Sequence, residues 1–270
     1  MTSLLVHPHE PDAQGKVLEV TPQSAGWEHV GFRVHELARG QRLEANTEDR
    51  EHCLVLLSGR ATVTSGEHRW EEIGKRMDIF EKIPPYAVYL PNGVSYSVEA
   101  TTDLTLAVCS APGFGSHQPR LIAPEQIKRS TRGSGTNTRH IQDILPETEP
   151  ADSLLVVEVY TPAGNWSSYP PHKHDTDNLP EESVLEETYY HRVNPSQGFA
   201  FQRVYTDDRS LDETMTVENG CCVMVPYGYH PVGAAHGYEL YYLNVMAGPK
   251  RAWKFQNDPA HEWIVEQQSS

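Results

Sequence analysis

Two segments 135 residues apart carry the same punctuation, and they limit what this chain can build. Pro91-Asn92-Gly93-Val94-Ser95 follows an apolar run, and so does Pro226-Tyr227-Gly228-Tyr229-His230. Each leads into a further run that ends on small residues, LTLAVCSAPG in the first half and LYYLNVMAGP in the second. Upstream, Glu51-His52-Cys53-Leu54-Val55-Leu56 matches Glu187-Thr188-Tyr189-Tyr190-His191-Arg192 in placement. Self-similarity of this kind marks two copies of one structural unit. Between these markers, short runs rich in Val, Leu, Tyr and Thr are separated by Gly, Pro, Asn and Asp, and helical periodicity is hard to find. The pattern predicts an all-β chain, a sandwich or barrel in each half. The expected division is 1–130 and 131–270. The stretch KRSTRGSGTNTRH, within residues 125–145, has the composition of a connector.

The totals exclude several classes. A chain of 270 residues buries a substantial core, and 38% hydrophobic with 22% charged residues is globular composition. The net charge of −15 argues against nucleic acid and anionic membranes as partners. It leaves room for an acidic small molecule, because local arginines can override the global field. No apolar run approaches the ~18 residues of a membrane span. MTSLLVHPHEPDAQG lacks a basic region followed by an apolar stretch, so the expected location is cytoplasmic. Cys53, Cys109, Cys221 and Cys222 form no CxxC pair and read as reduced core thiols.

The halves differ in chemistry. His172 and His174 are two apart, so on a strand they share a face. With Glu187 on a second strand and His230 on a later one, they can converge on one divalent transition metal: Mn, Fe, Co, Ni or Zn. An HxH pair alone is weak, and His7/His9 is another. The first half has Ser95 where the second has His230, and LEANTED where the second has the histidine pair. The metal is therefore expected in the second half, with the first a structural or dimerising copy. Glu186 and Glu187 compete for the ligand role. Glu187 is favoured because it puts Tyr189 and His191 on its own inward face and leaves Arg192 outside or at the rim. On the next strand, parity admits either Gln202 or the pair Arg203/Tyr205 inward. Tyr242 and Asn244 follow His230, and wall packing is the plainer role for any of these tyrosines. Arg139 and His140 in GTNTRHI can clamp an anion or simply close a turn. Asp207 and Asp208 sit in a charge run that reads as solvated. The aromatic tail WKFQNDPAHEW is dense enough to pack on a barrel and cover a site mouth. No nucleophile elbow, phosphate loop or dinucleotide fingerprint is present.

PPHKHD, LEETYYHR, GFAFQRVYTDDRSLDE, PYGYHPV, LYYLNVMAGP, GTNTRHI and FQNDPAHEW together resemble the 5-deoxy-glucuronate isomerase family, the bicupin enzymes of bacterial myo-inositol catabolism. The resemblance covers nearly the whole chain. It implies two tandem cupin (jelly-roll-like) β-barrels, with the metal held in the C-terminal one. Related hexosulose-uronate isomerases share an HxH…E…H pattern, which implies His172, His174, Glu187 and His230 as ligands. The implied reaction turns 5-deoxy-glucuronate into 5-dehydro-2-deoxy-gluconate without a redox cofactor. The resemblance does not name the general base. By strand parity His191 and Tyr189 are the first choices, with Glu186, Asp207 or Asp208 behind them. A uronic acid needs an arginine. Arg203 ranks first, then Arg192 and Arg139, with Gln202 and Tyr242 as further substrate contacts. A homodimer through paired edge strands is the suggested assembly. Two other readings stand beside the isomerase: a dioxygenase using Fe at the same ligands, and a sugar-binding bicupin without activity.

Overall fold

Antiparallel pairing of short strands builds this chain. The structure is a computed structural model, and it describes residues 3–267. The strands gather into two compact units. The first comprises Pro8–Lys128 and Asp143–Val156; the second comprises the chain up to His7, Arg129–Gln142, and the chain from Val157 onward. This differs from a single cut near residue 130, and pairing explains why. The strand Leu5–Val6 pairs with Cys222–Val225, which draws the first residues into the second unit. The segment 152–154 donates three backbone N–H groups to Glu51, which holds Asp143–Val156 in the first.

The first unit faces a six-stranded sheet with a four-stranded one. The larger runs in the order Arg120–Ile122, Ala87–Leu90, Arg50–Ser58, Leu104–Pro112, Gly31–Leu37, Lys16–Val20. The smaller runs Arg42–Asn46, Ser95–Ala100, Ala61–Ser65, His68–Ile73. Leu54, Leu56, Val88, Leu106, Val63 and Val98 from the two sheets fill the space between them. Seven consecutive residues of Arg50–Ser58 are buried, and the last five of them, Cys53 to Leu57, read as an unbroken apolar run.

The second unit repeats the plan. Its larger sheet runs Leu5–Val6, Cys222–Val225, Glu186–Asn194, Glu239–Ala247, Leu155–Thr161, Arg139–Leu145, Lys128–Arg132. Trp166–Ser167, Val232–Ala234, Phe199–Tyr205 and Asp212–Glu218 form the smaller. Along Phe199–Tyr205 the buried residues alternate through Ala200, Gln202 and Val204. The repeated glycines play one part in both units. Gly93 has φ 76° and Gly228 has φ 91°, a region that side chains disfavour. A Cβ on Gly228 would also lie 2.5 Å from the Tyr205 carbonyl oxygen. Among the described residues, no helix is long and apolar enough to cross a membrane.

One buried histidine makes the first unit acid-sensitive. His52 is buried beside Tyr96, whose hydroxyl lies 3.2 Å from its Nδ1. Burial pushes its pKa down to about 3, with Arg33 and Arg50 adding to the effect. Between that value and the ordinary ~6.5 the unfolded chain binds a proton that the folded chain refuses, so stability rises with pH across this window. Lowering the pH from 6.5 to 5 should therefore remove about 2 kcal/mol through His52. Urea denaturation of the wild type and of His52→Gln at both pH values checks this. Equal pH dependence in the two proteins would clear His52 of the effect.

Candidate metal centre and its cavity

The short strand His172–Lys173 pairs with Gln256–Asn257, His172 opposite Asn257. This fixes the HxH segment at the edge of the second barrel. His174 is tied twice to Leu185: the Leu185 N–H donates to the His174 carbonyl, and His174 Nδ1 lies 3.0 Å from the Leu185 oxygen. Its Nε2 then points at Glu187 Oε2, 3.0 Å away. His230 is held in the same manner. Its Nδ1 lies 2.8 Å from the Gly228 carbonyl oxygen, and its Nε2 lies 3.3 Å from Glu187 Oε2. A carbonyl on Nδ1 fixes that nitrogen as the N–H and leaves the Nε2 lone pair facing inward. His172 completes the group. Ring nitrogens of His172, His174 and His230 all lie within 4.8 Å of one another. Nε2 of His230 is buried and has no hydrogen-bond partner.

Electrostatics suit such a cluster. Burial drives His172 well below its ordinary value, and His230 and His174 push it the same way. Burial takes His230 down to about 4. Burial also opposes protonation of His174, but the Glu187 hydrogen bond and charge outweigh it, so the net direction there is upward. Three imidazoles around one carboxylate form a donor set for a divalent first-row ion. These residues therefore fit the metal that the sequence implies.

Strand parity organises the wall behind the cluster. Glu187, Tyr189 and His191 are buried on one face of Glu186–Asn194, while Glu186 has the opposite parity. Tyr189 stands opposite Asn244 and His191 opposite Tyr242. A cavity runs from the cluster between Glu187, Tyr189, Tyr242, Asn244 and Ser168. The Tyr189 hydroxyl lies 2.9 Å from Ser168 Oγ, and the Tyr242 hydroxyl 2.5 Å from Ser167 Oγ. Burial raises both phenols, Tyr189 well above the ordinary value with the Glu187 charge adding to it, so both are protonated at neutral pH. His191 does not line this cavity. It packs on the rings of Tyr189 and Tyr242, its Nε2 lies 2.9 Å from Gln202 Oε1, and burial takes it down to about 4.

The arginines are distributed differently from the order the sequence suggested. Arg203 points outward, because Gln202 takes the inward side of the alternation. Its guanidinium makes two 2.7 Å bonds to the Asp212 carboxylate and lies over the Tyr205 ring. Neither Arg203 nor Gln202 reaches the cavity, Gln202 being buried behind it against His191. Arg192 has the wrong parity and donates to Asn219 Oδ1 at 3.0 Å. Arg139 does line the cavity. His140 is exposed against Thr131. Asp207 accepts from the Tyr229 hydroxyl, and Asp208 from Ser210 and Thr206, both on a turn away from the cavity. Sequence reasoning missed Arg132 and Ser168 as lining residues, whereas Trp253 belongs to the tail WKFQNDPAHEW that was expected near the site mouth. The signal for Arg132 was its place: it and Arg139 flank a glycine-rich tip, so a hairpin brings them together.

Comparison with known proteins places this arrangement in a family. The sequence model of the KduI/IolB family matches residues 4–264. A 5-deoxy-glucuronate isomerase from Geobacillus kaustophilus is 61% identical over 266 residues, 98% of this chain and 96% of that protein. One from Bacillus subtilis strain 168 is 53% identical over 93% of each chain. Among solved structures, an IolB-like protein from Salmonella typhimurium LT2 superposes with a TM-score of 0.95 at 53% identity, covering 97% of this chain and 99% of its own. Oxalate decarboxylase from Bacillus subtilis shares the fold, with a TM-score of 0.65 at 14% identity over 95% of this chain and 80% of its own. The all-β tandem-cupin architecture is thus common to proteins of little sequence likeness. The long motifs around the histidine cluster go further, since they lie within a match that runs almost from end to end, and the chain belongs to the KduI/IolB family.

Proposed function

We propose that His172, His174, Glu187 and His230 hold one divalent transition metal, and that the chain isomerises 5-deoxy-glucuronate to 5-dehydro-2-deoxy-gluconate. The observation that carries this reading is the convergence of three imidazoles and one carboxylate, two of which, His172 and Glu187, line the adjoining cavity. The reaction itself comes from the relatives of that name, 61% and 53% identical to this chain. When bound, the ion supplies Lewis-acid polarisation of the substrate carbonyl. The remaining work belongs to side chains. Aldose–ketose exchange moves one proton from C2 to C1 and another between the two oxygens. Tyr189 is placed for proton handling, because its hydroxyl borders the cavity beside Glu187 and is paired with Ser168. Tyr242 presents a second O–H donor to the sugar oxygens. His191 positions both rings from behind. Cytoplasmic operation is part of the proposal, supported by four buried free thiols that a reducing compartment preserves.

The test pairs metal analysis with NMR of 5-deoxy-glucuronate incubated in D2O, with and without chelator. Conversion to the keto acid that needs about one ion per chain is the expected result. Metal bound with the sugar untouched would end the isomerase reading. Tyr189→Phe should lower turnover by roughly 10²- to 10⁴-fold at unchanged metal content. Full turnover in that variant would remove Tyr189 from the proton path.

A further inference from the structure

We propose that Arg132 and Arg139 together are the specificity site for the substrate's far carboxylate, held ready by the turn between them; this rests on the isomerase reading above. The two arginines end one strand and begin the next, Lys128–Arg132 and Arg139–Leu145, which are neighbours in the sheet. Thr131 and His140 meet across this hairpin at 3.0 Å on its exposed side. The next pair inward, Arg132 and Arg139, therefore faces the other way, and both line the cavity with Glu187 and Tyr242.

The turn is built around Arg139. Gly133 has φ 74°, and a Cβ there would lie 2.1 Å from the Asn137 oxygen and 2.9 Å from Arg139 Nη1. Only glycine lets the guanidinium lie against the tip. Arg139 Nη1 donates to the Asn137 carbonyl at 3.1 Å. From outside the turn, Asn165 Nδ2 donates to the Thr138 and Gly135 carbonyls at 2.9 and 3.3 Å. Arg132 rests 5.6 Å above the Trp253 ring, a cation–π contact that restricts it.

These cations lack an anionic partner. Among the described residues, neither guanidinium has a carboxylate partner, whereas Arg203 is fully matched by Asp212. The cavity's one carboxylate, Glu187, is engaged by His174 and His230. Two like charges side by side in a cleft without a counter-anion are unfavourable, and a bound carboxylate resolves this. Guanidinium forks match a carboxylate in geometry as well as charge. A six-carbon acid thus lies with its aldehyde end at the histidine cluster and its acid end at the hairpin.

The experiment measures kcat and KM of wild type, Arg132→Gln and Arg139→Gln on 5-deoxy-glucuronate and on the analogue carrying a hydroxymethyl in place of the carboxylate. Calorimetry of 5-deoxy-glucuronate binding to chelator-treated protein gives a readout independent of turnover. Each variant should raise KM for the acid by roughly tenfold to hundredfold, leave the neutral analogue unchanged and keep its metal. Arg132 is exposed, so its variant tests the idea even if Arg139→Gln folds poorly. Unchanged KM and unchanged discrimination in a turning-over Arg132→Gln would overturn the proposal and leave the isomerase reading standing. An inactive wild type whose variants still lose acid binding would do the reverse.

Discussion

Glu187→Gln and His174→Ala should each strip the bound metal and reduce turnover by about 10³-fold, the several kcal/mol that Lewis-acid assistance supplies. Both side chains are buried and in contact, and Glu187 also faces His230, so one substitution disturbs three of the four donors. Glu187→Gln conserves volume and keeps one oxygen, so its loss of metal reports charge rather than packing. The fold should persist, because Tyr189, Tyr242 and the neighbouring apolar wall are untouched. Elemental analysis and the NMR conversion assay on the same preparations check the prediction. Full metal stoichiometry with unimpaired conversion in both variants would show that the donors lie elsewhere.

Glu51→Ala should destabilise the first unit by about 3–5 kcal/mol, the cost of breaking a buried charged network. Glu51 opens its strand as Glu187 opens the matching one, yet it serves a different purpose. It is fully buried and accepts four hydrogen bonds: from the Tyr89 hydroxyl at 2.6 Å and from the N–H groups of Asp152, Ser153 and Leu154 at 2.7, 2.7 and 2.5 Å. Removing the carboxylate orphans three backbone donors in a dry interior. Urea denaturation gives the measurement. A loss below about 1 kcal/mol would mean that water reaches the segment and satisfies it.

Backbone alternation made much of the site legible. Once Glu186–Asn194 was read as a strand, Glu187, Tyr189 and His191 had to share a face, and they do. Parity alone could not say which face of Phe199–Tyr205 turns inward. The inward row there is Ala200, Gln202, Val204, whereas Phe199 and Phe201 are exposed. Apolar residues on the outer side hide the usual signal, and Arg203 was misplaced for that reason. Arg132 was missed because GSGTN has loop composition, and composition does not show that a loop is the tip of a hairpin aimed at a cavity. The unit boundary depends on Leu5–Val6, a strand of two residues, too short to carry any period.

That two-residue strand sets an order of events during synthesis. Leu5 and Val6 pair with Val223 and Cys222, which are made more than 200 residues later. At ~5–20 residues per second the opening segment waits roughly 10–40 s for its partner. Pro8–Lys128 and Asp143–Val156 emerge within that interval. The first barrel can therefore form on the nascent chain while the second is still open, and the histidine cluster of the second stays unassembled until His230 has emerged.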